Sequence, residues 1–168
     1  MDKSVKPRFK PGASHPSQLA GKLFDETGGR LTPSHASKGV KRYLYYVSRR
    51  LIAGMEDDIG TGWRLAANWL ERDLARSVRE HLIGCVERGN IGATDAGSIP
   101  RLRSQAEATD YRVLDGIDTV RLGDGMLSND LNKDKIADLL SSAQDRIASE
   151  ALSFGRPFSN VVVASKAA

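Results

Sequence analysis

An α+β fold is predicted, with a small β-ribbon near the start followed by a long helix, a β-hairpin and a C-terminal helix, and three features of the 168-residue sequence predict it. Aromatic and β-branched side chains dominate Arg42 to Val47, a composition that suits a pleated strand. From Trp63 onward Ala67, Leu70, Leu74, Val78, Leu82 and Cys85 recur every three or four positions, which is one stripe of an α-helix. Gly123-Asp124-Gly125 then separates Thr119 to Leu122 from Met126 to Leu131, and a short Asp-Gly loop matches the twist of two paired strands.

Met1 to Ser17 interleaves Lys3, Lys6, Arg8 and Lys10 with Pro7, Pro11 and Pro16, so residues 1–17 are expected to form a basic arm without fixed structure. Residues 18–52 are expected to be β-ribbon-like. Their first strand is assigned to Leu19–Phe24, with a turn at Gly28-Gly29 where the backbone must be permissive. Thr32-Pro33-Ser34-His35 reads as a turn and Arg42–Val47 as the second strand. Alternation places Tyr43, Tyr45 and Val47 on one face of that strand and Arg42, Leu44 and Tyr46 on the other, with one face packed on the rest.

Residues 62–152 are expected to hold the helices and the hairpin. The long helix should run from about Leu65 to Arg88, stopped at Gly89-Asn90, and Trp63 and Trp69 should pack beside it. A weaker helix is expected over Ile99 to Thr109, capped by Ser98 with Pro100 in its first turn. Asn132 should cap a last helix whose apolar face is Ile136, Leu139, Leu140, Ala143 and Ile147, with Asp134 favourable at its positive end. Residues 153–168 are a divergent tail to which no element is assigned.

Hydrophobic residues at 40% and charged residues at 27% allow a folded core. No apolar run approaches the roughly 20 residues that span a bilayer, and Met1 to Gly12 lacks an apolar signal core, so a cytoplasmic location is expected. Cys85 alone cannot form an internal disulfide, and His15, His35 and His81 lack metal-ligand spacing, so neither metal nor cofactor is expected. Charge is polarised along the chain. Residues 1–50 hold eleven Lys and Arg against Asp2, Asp25 and Glu26, about +8, while the remainder is −4 against a total of +4. A cationic block favours an anionic polymer, because neutralised phosphates release condensed counterions; a solubilising basic tail is the competing reading. No Ser-His-Asp order, phosphate-binding glycine loop or carboxylate cluster suggests an active site.

The order HPSQLAGKLFDETGGRLTPSHASKGVKRYLYYVSRRLI at 15–52 resembles the segment after the linker in proteobacterial large serine recombinases. The resemblance is carried by Leu19-Ala20-Gly21, Leu23-Phe24-Asp25, Leu31-Thr32-Pro33-Ser34-His35, Lys38-Gly39 and Arg42-Tyr43 through Tyr46-Val47-Ser48. It extends more loosely over Trp63 to Ala67 and Val120 to Leu140, and does not reach Arg156 to Ala168. It implies a zinc β-ribbon region from a branch without the zinc cysteines, hence double-stranded DNA as partner and DNA integration or recombination as the setting. In that family the nucleophilic serine sits in an N-terminal resolvase domain. Only 18 residues precede Leu19, so no serine here matches it, and the chain is expected to be non-enzymatic by itself.

Lys38, Lys41, Arg42, Arg49 and Arg50 are the expected phosphate contacts, since long cationic side chains at strand ends reach a backbone. Tyr43, Tyr45 and Tyr46 are candidates to touch sugar or base edges, against core packing as the alternative. His35 and Ser34 either meet phosphate or brace the turn. Two other readings are kept: a regulatory protein pairing through its helices with a full-length recombinase or with itself, and a truncated remnant without function.

Overall fold

The computed structural model describes residues 17–53, 62–91, 97–123, 125–140 and 151–157. They run β1 (Leu23–Phe24), β2 (Leu31–Lys38), β3 (Lys41–Ser48), α1 (Arg49–Ala53), β4 (Arg64–Ala66), α2 (Ala67–Glu87), α3 (Ser98–Glu107), a 3₁₀ segment (Asp110–Gly116), β5 (Ile117–Gly123), β6 (Met126–Leu131), α4 (Lys133–Leu139) and β7 (Ser153–Pro157). The fold class is α+β, with one sheet ordered β1-β5-β6-β7 and a second ordered β2-β3-β4. The basic arm, up to residue 16, lies outside the described residues.

The predicted stripe organises the interior: Ala67, Leu70, Leu74, Val78, Leu82 and Cys85 of α2 are all buried. They join one cluster with Leu19, Leu23, Leu31 and Tyr46 from the ribbon segment and Leu102, Leu114, Ile117, Val120, Leu127 and Ile136 from beyond it. Residues 18–52 and 62–152 therefore share a core. The β5–β6 hairpin forms as expected, with Gly125 at a φ of +69° in its turn. Asn132 caps α4, its Oδ1 accepting from the Lys135 N–H at 3.1 Å.

Several elements differ from expectation. Only Leu23 and Phe24 of the predicted first strand are extended, and they pair in parallel with Val120 and Arg121 of β5. Gly21, at a φ of +80°, interrupts the run, and Ala20 and Lys22 donate to Ser17 and Leu19 in a turn. The partner of β3 is instead β2, so Thr32 to His35 lies in a strand. Proline is compatible there because β2 is an edge of its sheet, where a ring nitrogen can face away from the ladder. Helix α2 starts at Ala67 because Arg64 to Ala66 pair with β3. Gly97, not Ser98, takes the cap position of α3. Ala143 and Ile147 lie outside the described residues, as does the tail beyond Pro157. Ser153 to Pro157, left without an element, add a strand along β6.

Helix α2 holds that strand. Arg156 forms an ion pair with Asp73, and the His81 ring stacks on Phe154 with centroids 4.2 Å apart. His81 Nε2 also lies 3.0 Å from the Ala151 carbonyl oxygen, to which a ring protonated at Nε2 donates. Partial burial pushes the Asp73 carboxyl up, but hydrogen bonds from Arg156 and Arg76 overcome it and hold the group below its ordinary value. Burial depresses the His81 pKa below 6.5, the Arg88 charge adds to this and the bond to Ala151 opposes it. Because the unfolded ring takes a proton at higher pH than the folded one, this contribution to stability is complete above pH 6.5 and is lost as pH falls toward the lower folded value. The urea midpoint should therefore drop as pH falls below 6.5, and His81→Gln should remove that drop. An identical pH profile for the two proteins would contradict this role of His81.

Candidate nucleic-acid interface

Strands β2 and β3 pair from Leu31↔Ser48 to Lys38↔Lys41 without a slip, leaving Gly39-Val40 as a two-residue loop. Gly39 has a φ of +60°, and Val40 is not in the positive region, which is the pattern of a II′ turn with glycine first. That turn suits the right-handed twist of the flanking strands. Ser37 to Tyr43 are all exposed, and Val40 at the tip is fully so. From Tyr46, where burial begins, to Lys41 the strand covers five steps, so the ribbon projects by roughly 15 Å.

At the foot of the ribbon the side chains are committed to holding it. Tyr46 is wholly buried. Its phenol donates to Glu71 Oε1 at 2.5 Å and accepts from the Leu19 N–H at 3.1 Å, and the Gln18 N–H reaches the same carboxylate oxygen at 3.1 Å. Burial, then the neighbouring Glu71, push the phenol well above its ordinary pKa, so it stays a donor. A second anchor is the turn after β1, where Asp25 Oδ1 accepts from the Thr27 and Gly29 N–H groups and from the Thr27 hydroxyl. A Cβ at position 29 would come within 3.0 Å of that carboxylate, which accounts for glycine there. From the same turn Glu26 accepts from Arg50 at 3.0 Å and from the Trp63 indole at 2.6 Å, and Asp25 lies 3.6 Å from Arg50.

The register sorts the sequence-predicted residues. Tyr46 belongs to the core and Arg50 to the Asp25–Glu26 turn, so both are withdrawn from the contact set. Their partners lie 25 and 24 residues away along the chain, beyond local reading. Lys38, Lys41 and Arg42 gather at the tip, and no ion pair joins them to any described carboxylate. Residues 31–48 contain no Asp or Glu. Lys38 and Lys41 stand directly opposite each other, a like-charge pair that weakens a hairpin unless an anion intervenes.

Thr32, Ser34, Ala36 and Lys38 share the outer face with Val47, Tyr45, Tyr43 and Lys41, while Pro33, His35 and Ser37 share the other with Tyr46, Leu44 and Arg42. Tyr43, opposite the small Ala36, is 41% exposed, Tyr45 is half-buried, and Ser34 and His35 lie in β2 rather than bracing a turn. Arg49 opens α1 and is exposed, away from the tip. Pairing of β4 with β3 brings in a residue that the sequence reading passed over, Arg64, whose guanidinium lies 4.5 Å from the centre of the Tyr45 ring. Its only local signal is an exposed position next to an apolar one, and the pairing itself is non-local.

Among the described residues no group of three His, Cys, Asp or Glu side chains could hold a metal ion, and no helix is long and apolar enough to cross a membrane. No family model, curated protein or solved structure matches the chain.

Tyr46→Phe keeps the ring but leaves the buried Leu19 N–H without its acceptor and removes one of the two donors to Glu71 Oε1, that of Gln18 remaining. It should destabilise the protein by about 1–3 kcal/mol in urea unfolding. A loss below about 0.5 kcal/mol would mean that the phenol does not secure the ribbon.

Proposed function

We propose that the chain binds double-stranded DNA through the tip of the β2–β3 ribbon, as the C-terminal DNA-binding part of a site-specific serine recombinase. The observation that carries this reading is the gathering of Lys38, Lys41 and Arg42 at the end of a projecting ribbon that contains no carboxylate. A duplex supplies phosphates to such a tip, and displacement of their counterions drives the association. A two-stranded ribbon also matches the major groove of B-DNA, about 12 Å wide. The deep, narrow major groove of A-form RNA does not admit it, which favours DNA over duplex RNA.

The recombination setting rests on the sequence resemblance alone, which is strongest over residues 15–52 and looser over Trp63 to Ala67 and Val120 to Leu140. In that setting the ribbon and its core grip the duplex, and strand exchange is the work of the family's serine-bearing domain.

Changing Lys41 and Arg42 together to Ala should weaken binding to labelled duplex DNA roughly tenfold and make the salt dependence shallower by about 1 to 2 in log–log slope, according to how many phosphates are no longer neutralised. The same double variant should unfold with a midpoint no lower than that of the wild type, since both side chains are exposed and the Lys38–Lys41 repulsion is relieved. Binding of unchanged strength and slope would contradict the assignment.

A further inference from the structure

The register that builds the ribbon also gives it two unlike faces. The inner face carries Leu31 and Tyr46, and through β4 Leu65, into the core. The outer face, where β4 adds Arg64 and Ala66, presents Lys38, Lys41, Tyr43, Tyr45, Ser34 and Arg64. Cations and hydroxyl or aromatic groups thus share a surface on which no residue of β2, β3 or β4 is acidic. Arg64 is exposed, and no ion pair links it to a described carboxylate. Its guanidinium rests on the Tyr45 ring instead, 4.5 Å from the centroid. Such stacking restricts a long side chain and leaves its N–H edge open to an acceptor.

The spacing of these cations is informative. Arg64 pairs with Val47, and its guanidinium meets the ring of Tyr45, a residue four positions from Lys41 along β3. Four strand steps span about 13 Å. That is close to the width of the major groove, about 12 Å. A lysine pair at one end and an arginine at the other can therefore meet the phosphates on its two sides, with Tyr43 facing what lies between.

We propose that the outer face of the β2-β3-β4 sheet, and not the tip alone, is the surface that lies on the duplex, with Arg64 as a phosphate contact positioned by Tyr45. The proposal rests on the DNA-binding reading above and extends the contact to a strand outside the ribbon. Arg42, on the opposite face, then contributes less than Arg64.

The test compares duplex binding by the wild-type chain and by the Arg64→Met, Arg64→Lys and Arg42→Met variants over a series of salt concentrations. Arg64→Met keeps the bulk over Tyr45 and removes the charge. It should weaken binding roughly three- to tenfold and reduce the log–log salt slope by about 1, while Arg64→Lys retains most of the wild-type slope and Arg42→Met loses less affinity than Arg64→Met. Wild-type affinity and slope in Arg64→Met would overturn the outer-face contact while leaving the tip reading intact. An equal loss in Arg64→Lys and Arg64→Met, with the wild-type salt slope kept in both, would show that the side chain acts through its stacking on Tyr45 and would overturn the phosphate role. Absence of wild-type binding at low salt would overturn both this proposal and the reading it rests on.

Discussion

The Tyr46 phenol, buried between the Glu71 carboxylate and the Leu19 backbone, ties three separate parts of the chain at one point: strand β3, helix α2 and the turn that leads into β1. Each bond made there is shielded from water, where an unmade partner is costly, so separating any of the three parts leaves a buried polar group unsatisfied. The Gln18 N–H adds a fourth strut through the same oxygen of Glu71. Around this knot the apolar stripe of α2 shares one core with Leu23 and Leu31 and with Val113, Leu114 and Ile117.

A fixed foot is what makes an exposed ribbon of eight-residue strands useful. Two strands alone are marginal in water, and the outer half of this hairpin receives no help from the core. Stability reaches it through the ladder from Leu31↔Ser48 upward, the third strand β4, and the turn at Asp25 to Gly29 that fastens Arg50 and Trp63. The tip is left with positive charge that no described carboxylate pairs, and with a Lys38↔Lys41 pair that repels itself. Those features are costly to the free protein and suit a surface that meets an anion. Other positions on α2 do a separate task, Asp73 and His81 clipping β7 to the body.

What could be read from the sequence followed from short-range signals. The stripe of α2, the Asp-Gly hairpin of β5 and β6, and the Asn132 cap each depend on residues within a few positions of one another, and each is found. What could not be read depends on pairing across long separations. Leu19 to Phe24 has strand-like composition, yet Gly21 turns it and β5, far along the chain, claims its end. Thr32-Pro33-Ser34-His35 carries turn residues but becomes a strand because β3 recruits it as an edge. Among the candidate contacts, Lys38, Lys41 and Arg42 are exposed together as their charge suggests, and Tyr43, for which alternation left core packing open, is exposed with them. Tyr46 and Arg50 are removed by partners that local pattern does not reveal, and Arg64 is added only when β4 folds against β3.

In the proposed function a cationic ribbon on a fixed foot holds a DNA duplex. Titration of the wild-type chain against labelled random-sequence duplex at several salt concentrations tests it most directly, with log Kd plotted against log salt. Three or four phosphate contacts predict saturable binding at low salt that weakens with a log–log slope of about 3. No binding at low salt, or binding indifferent to salt, would contradict the account.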